Sequence, residues 1–266
     1  MTGAYFTRTG DREYLPTPHT QGPWSPDHQH FGPPGALLTR AIEQCTAADT
    51  GPGALLLGRV TFDILGPLPL RPLTVRARTG RPGRRVRLVH AELLHDGDPL
   101  VRASAWAVRP APGDVPSHEE KAEPPCPPPH PDDPESTVPP EWSCGFLASM
   151  AWHFVHGEYG RPGPAAVWLR PRVPLVAGEP LTPAQRVVLA ADSANGVSAE
   201  LPIDSWGFVP PDLTVHFARP PEGDWLYLDA RSAVGPGHPG LATSALYDTR
   251  GPVARSAQTL LIHPRG

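Results

Sequence analysis

Pro252-Val253-Ala254-Arg255-Ser256-Ala257-Gln258-Thr259-Leu260-Leu261-Ile262 closes the chain, and Pro99-Leu100-Val101-Arg102-Ala103-Ser104-Ala105-Trp106-Ala107-Val108 reads as an earlier copy of it. Each stretch follows a polar turn, Asp248-Thr249-Arg250-Gly251 in the later one and Asp96-Gly97-Asp98 in the earlier, and each carries Val, Arg, Ser and Ala in the same order. Apolar segments of this length bounded by turn residues are strand signals. Setting Asp96 on Asp248 and Ser104 on Ser256 gives a spacing of 152 in both cases, and that spacing sets Trp106 against Gln258. A repeat with one polar substitution predicts two similar half-domains and a single working site per chain.

The neighbouring segments support this two-fold plan. Pro33-Pro34-Gly35 opens a helix that is expected to run from Gly35 to about Ala47. Its Leu37, Leu38, Ala41, Ile42 and Cys45 recur at three- and four-residue steps, the period of one buried helical stripe. Strands are expected over 55–65, 73–79, 84–95 and 99–108, each bounded by Gly, Pro or Asp. In the second half, strands are expected over 152–159 and 165–169. A helix over 181–192 follows, with Thr182 as its N-cap and Pro183 at its first position. Strands over 213–219, 225–231, 241–247 and 253–262 complete the set. One long helix followed by antiparallel strands, done twice, predicts an α+β protein.

Between the halves the composition shifts. Ala122-Glu123-Pro124-Pro125-Cys126-Pro127-Pro128-Pro129 is excluded from helix or sheet interior, because each proline fixes φ and removes a donor. An extended linker is expected, which divides the chain into residues 1–110, a linker over 111–140, and residues 141–266.

A formal net charge of −4 argues against nucleic acid or an anionic membrane surface as the main partner. No apolar run approaches the roughly 20 residues that span a bilayer, and the N-terminal residues lack the basic and apolar regions of a signal peptide. Cys45, Cys126 and Cys144 are odd in number and show no paired spacing, which argues against a disulfide framework or a zinc site. A cytoplasmic location is expected. Lys121 is the only lysine, so the arginines 76, 78, 81, 84, 85 and 87 read either as a patch for phosphates or an acidic carrier protein, or as a solvated hairpin in an arginine-biased chain. His28 and His30 form a pair without a third metal ligand at a suitable spacing, and are expected to pack ahead of the first helix.

Three stretches carry a family resemblance. They are Thr20-Gln21-Gly22-Pro23-Trp24 through Gly32-Pro33-Pro34-Gly35-Ala36-Leu37-Leu38, Pro211-Asp212-Leu213-Thr214-Val215-His216-Phe217-Ala218-Arg219-Pro220, and Leu246-Tyr247-Asp248 with Ser256-Ala257-Gln258. In this order they resemble the acyl-CoA thioesterase II-like proteins of tandem, or double, hotdog fold. The resemblance implies a long helix wrapped by an antiparallel sheet in each half, with the sheets joined into one surface. It implies a role in lipid metabolism, no cofactor, and an acyl-CoA or acyl-carrier thioester as substrate, and it leaves homo-oligomerisation open. It further implies a catalytic set of Asp192, Thr214 and Gln258.

The chemistry of thioester hydrolysis fits such a set. A carboxylate accepts a proton from water, while a hydroxyl and an amide hold that water near the acyl carbon. No GxSxG elbow is present, so a serine nucleophile is not expected. The spacing of 152 sets Thr214 against Phe62, a second polar-for-aromatic exchange. Gly32 and Gly35, at the start of the first helix, are candidate backbone donors for the thioester carbonyl. Strand alternation places His216 on the Thr214 face, so His216 is a candidate wall of the site. The alternatives are another hotdog enzyme acting on thioester-bound intermediates, dehydratase-like or tailoring, and a non-catalytic acyl-binding protein.

Overall fold

The computed structural model describes residues 3–51, 54–116 and 126–265. Lys121 and the 122–125 part of the expected linker lie outside the described residues. In the first half, β1 (Phe6–Arg8) and β2 (Glu13–Pro16) precede α1 (Gly32–Thr50). Then come β3 (Leu56–Ile64), β4 (Leu73–Arg81), β5 (Val86–His95) and β6 (Asp98–Val108). The second half opens with α2 (Gly145–Ala148), β7 (Met150–His156), β8 (Ala165–Pro171), α3 (Pro183–Ala191) and α4 (Ala194–Val197). It ends with β9 (Trp206–Val209), β10 (Asp212–Phe217), β11 (Leu226–Ala233), β12 (Gly240–Asp248) and β13 (Gly251–Pro264). The expected helices and strands all occur, with α1 longer at both ends. The short β1, β2, β9, α2 and α4 have too little periodic pattern to stand out in the sequence.

One continuous antiparallel sheet runs in the order β1-β2-β4-β5-β6-β3-β10-β13-β12-β11-β8-β7, with β9 added on β13. Its centre is the pairing of β3 with β10. Outward from that seam, β6, β5 and β4 on one side answer to β13, β12 and β11 on the other. The helices α1 and α3 pack together on one face, where Leu37, Leu38, Ile42, Val187, Val188 and Leu189 share a core with Val60, Phe62, Ala105, Leu213 and Val215. This is the expected α+β double hotdog.

Strand pairing corrects the spacing of the repeat. His95 pairs with Asp98 across the first hairpin turn, and Asp248 pairs with Gly251 across the second. Leu93↔Val101 corresponds to Leu246↔Ala254, and Val75↔Leu93 to Leu228↔Leu246. The differences 246 − 93, 254 − 101 and 228 − 75 are all 153. Because side chains alternate faces along a strand, a slip of one residue exchanges inside for outside. At 153, Gln258 answers to Ala105, not Trp106. Trp106 lies between the buried Ala105 and Ala107, so its own side chain is on the face away from the helices. Phe62 answers to Val215, and Thr214 answers to Thr61, the residue it pairs with across the seam.

Two polar clusters fasten the outer parts of this frame. The Arg40 guanidinium on α1 binds Glu179 through two bonds of 2.6 and 2.8 Å and donates to the Tyr14 hydroxyl at 2.9 Å. Asp248, at the β12–β13 turn, accepts from Arg219 at 2.5 and 2.7 Å and from the backbone N–H groups of Glu222 and Arg250. Burial pushes the Asp248 carboxyl upward, but the bonds from Arg219 and the two amides outweigh it and hold the carboxyl below its ordinary value.

A depressed carboxyl stabilises the fold above its unfolded value and loses that contribution as pH falls through the folded value. Asp248→Asn should therefore cost about 2–3 kcal/mol at neutral pH, since it removes the charge that faces Arg219 and keeps only one acceptor oxygen for Arg219 and the two backbone amides. Urea unfolding of the two proteins should show the gap at pH 7 and a narrowing below the ordinary carboxylate range. An equal gap at every pH would contradict this account.

Candidate active site

The two long helices run past one another in opposite directions, so the beginning of α1 meets the end of α3. The approach is close. A Cβ placed on Gly35 would stand 3.0 Å from Val188 Cγ1 and from Phe31 Cε1, and one on Gly32 would stand 3.3 Å from the Leu189 carbonyl oxygen. Glycine removes those atoms, and the start of α1 comes to rest against the last turn of α3.

Asp192 caps that last turn. A carboxylate at a helix C-terminus faces the negative end of its own helix dipole, so Asp192 needs donors from elsewhere. It has two. Gln258 Nε2, from the middle of β13, donates to Asp192 Oδ1 at 3.1 Å, and His30 Nδ1, just ahead of α1, stands 2.8 Å from Oδ2. The positive start of α1 faces the same carboxylate. Asp192 is 3% exposed, Gln258 0%, and the His30 side chain 13%, so His30 is the member nearest solvent.

Hydrogen-bond logic fixes the orientations. An amide facing a carboxylate must present its nitrogen, so Gln258 Oε1 points elsewhere, and it has no hydrogen-bond partner although it is buried. The hydroxyl of Ser193, next to Asp192, is likewise buried without a partner. His30 Nδ1 also lies 3.2 Å from the Gly32 amide nitrogen. One ring nitrogen does not donate to Asp192 and accept from Gly32 at once. The shorter contact, to a carboxylate, takes the proton, which leaves the Gly32 N–H without that acceptor. The His30 ring is held by stacking on Phe146 at 3.9 Å between centroids.

The structure thus brings Asp192, Gln258 and Gly32 together, and it does not bring the other expected residues there. Thr214 pairs with Ala257, the neighbour of Gln258, and bonds Thr61 at 3.2 Å. Its side chain is therefore on the opposite face of the sheet from Gln258. His216 shares that outer face, is exposed, and pairs with Arg255 and Arg59. The sequence argument failed because alternation runs through the sheet: the residues that face α3 from β10 are Leu213 and Val215, both fully buried. Gly35 donates its amide to the Phe31 carbonyl at 2.9 Å, so it serves helix packing and not a ligand. His30 is the residue that sequence reasoning placed only as packing. Its signal was its position two residues before α1, where a ring reaches across the helix start. Arg87, grouped with the hairpin arginines, is 4% exposed and donates to the Thr46 carbonyl at 3.1 Å.

A sequence profile of the acyl-CoA thioesterase C-terminal domain matches residues 94–262, and one of the N-terminal domain matches residues 20–108. The chain belongs to the acyl-CoA thioesterase family. It is a thioesterase-type hydrolase, and the substrate class of that family is an acyl-CoA thioester. A search of curated proteins gave no significant match. Among solved structures, a hotdog-fold protein of Alicyclobacillus acidocaldarius is similar with a TM-score of 0.72 at 17% identity, over 98% of this chain and 96% of that one. A proposed thioesterase II of Thermobifida fusca follows with 0.71 at 19%, over 97% and 95%. An acyl-CoA thioesterase II of Mycobacterium marinum gives 0.64 at 15%, over 98% and 95%. At these identities the structural likeness speaks for the fold. Among the described residues, no helix is long and apolar enough to cross a membrane.

Thr214→Ala and His216→Ala should leave thiol release from acyl-CoA within about twofold of wild type, since neither side chain is on the Asp192 face. Gly35→Val should instead cost about 1–3 kcal/mol in denaturant unfolding, because its side chain has to enter a space held by Val188 and Phe31. A large activity loss in Thr214→Ala would return that residue to the site.

Proposed function

We propose that this thioesterase hydrolyses its acyl thioester by direct attack of a water molecule held by Asp192 and Gln258. The observation that carries the reading is the buried amide with a divided role. Gln258 Nε2 is bound to the Asp192 carboxylate, and its Oε1 is an acceptor without a partner. A water resting against Oε1 donates one proton there and the other to Asp192. As Asp192 takes that proton, the water oxygen bonds to the acyl carbon and the carbonyl oxygen becomes an oxyanion. The Gly32 N–H at the start of α1 is the donor for it, and the dipole of α1 favours the charge. The C–S bond then breaks, and the thiolate sulfur takes the proton from Asp192, leaving a carboxylic acid and a thiol. Ser193, with its buried hydroxyl free, takes the place in this scheme that the sequence argument gave to Thr214.

The 2.8 Å contact between His30 and Asp192 favours a second reading. There Asp192 fixes the imidazole and His30 is the base, as in hydrolytic dyads. The division into residues 1–110, 111–140 and 141–266 goes with either reading, as do a cytoplasmic location and a role in lipid metabolism; Asp192 and Gln258 come from 141–266, and Gly32 and His30 from 1–110. Coenzyme A is the carrier we propose, on the strength of the family.

Thiol release across acyl-CoA chain lengths tests the scheme. Asp192→Asn should lower kcat about 10²–10⁴-fold with little change in KM, and Gln258→Ala about 10²-fold. His30→Gln should keep most of the rate if Asp192 is the base, and should fall as far as Asp192→Asn if His30 is. Unchanged turnover in Asp192→Asn would remove both readings.

A further inference from the structure

The helix crossing has two ends, and the second is also built around a carboxylate. At the far end the beginning of α3 meets the later turns of α1. There the Glu43 carboxylate accepts from the Thr182 hydroxyl at 2.9 Å and from Gln185 Nε2 at 2.8 Å. A carboxylate of one helix at the start of the other, bound by a side-chain amide, is the Asp192 arrangement seen again. The strand set behind it differs: the counterpart of Gln258 is Ala105, so that strand position brings no amide to Glu43.

Among the described residues, this end carries a cleft. A cleft of about 520 Å³ lies between α1, α3, β3 and the ends of β6 and β10, lined by Leu55, Leu57, Gly58, Val108, Phe217 and Pro220. That volume is in the range of small-molecule sites, and the lining is predominantly apolar. Glu43 stands at the inner wall, where burial pushes its carboxyl above the ordinary value against the bonds from Gln185 and Thr182. The exposed Arg109 lines the same cleft, as does Arg219, whose guanidinium is held by Asp248.

We propose that this cleft is a second ligand site, which binds an acyl chain carrying an anionic head group and does not hydrolyse it. The chain lies along Leu57, Val108 and Phe217, and the head meets the exposed Arg109 at the edge. A fatty acid released at the Asp192 centre and an intact acyl-CoA share this chemistry. The choice of an acyl ligand rests on the thioesterase reading, whereas the cleft and Arg109 do not.

Decanoate and a non-hydrolysable S-decyl thioether of coenzyme A are the probes, titrated calorimetrically into wild-type protein and into Gly58→Leu. A Cβ on Gly58 meets nothing nearer than Val108 Cγ2 at 3.5 Å, so leucine is tolerated by the backbone and occupies the cleft. Binding of either probe, weakened at least tenfold by Gly58→Leu, is the expected result, and which probe binds identifies the source of the chain. In parallel, a diazirine-bearing decanoate on the wild-type chain should label residues within 43–58, 108–111 or 217–221. Labelling confined to other segments, no binding of either probe, or wild-type affinity in Gly58→Leu would each overturn the proposal. Because decanoate cannot be hydrolysed, this outcome is independent of whether Asp192→Asn abolishes thiol release.

Discussion

The close antiparallel approach of α1 and α3 is the constraint on which the rest depends. It is eased by glycine at positions 32 and 35, because a Cβ at either would press on Leu189 or Val188 of the opposite helix at 3.0–3.3 Å. With that approach in place, the positive end of α1 faces Asp192, and His30 is carried to 2.8 Å from its carboxylate. The antiparallel sense then presents Glu43 to the start of α3 at the other end. Both carboxylates owe their partners to the same crossing.

The sheet does a different job. Its seam, β3 against β10, joins two sets of strands that repeat at a spacing of 153, and it orients every side chain by alternation. Gln258 reaches Asp192 because β13 turns that residue toward the helices, where its counterpart Ala105 is only filler. One end of the helix crossing thus holds an amide and a carboxylate, and the other end holds an apolar cleft. A duplicated fold lets one end specialise while the other keeps its shape, since each end needs only its own few polar residues.

Much of this was legible in the linear chain. The helix period of Leu37, Leu38, Ala41 and Ile42, the N-cap of Thr182 with Pro183, and the turn residues between strands carry local physics that operates within a few residues. Asp192 and Gln258 were legible from the family pattern. Trp106 and Phe62 were misaligned because the spacing of the repeat was taken as 152, and an error of one residue reverses the face of a strand. Thr214 came from the family pattern and His216 from its alternation with Thr214, and the register of β10 on β13 turns both to the outer face. The pairing of the hairpin turns, His95 with Asp98 and Asp248 with Gly251, settles the true spacing.

By itself, then, the sequence determined the elements and the two-fold plan, because periodicity, capping and turn chemistry are short-range. Through the family pattern it also pointed to Asp192 and Gln258, which the structure brings within 3.1 Å of each other. Only the tertiary structure decided which face each strand residue takes, that His30 joins the site, and that the opposite end carries a cleft. These depend on strand register and on contact between helices some 140 positions apart in sequence, as between Glu43 and Thr182 (|i−j| = 139). No local pattern encodes such contacts, since they arise only when the sheet closes at its seam and the two helices are pressed together.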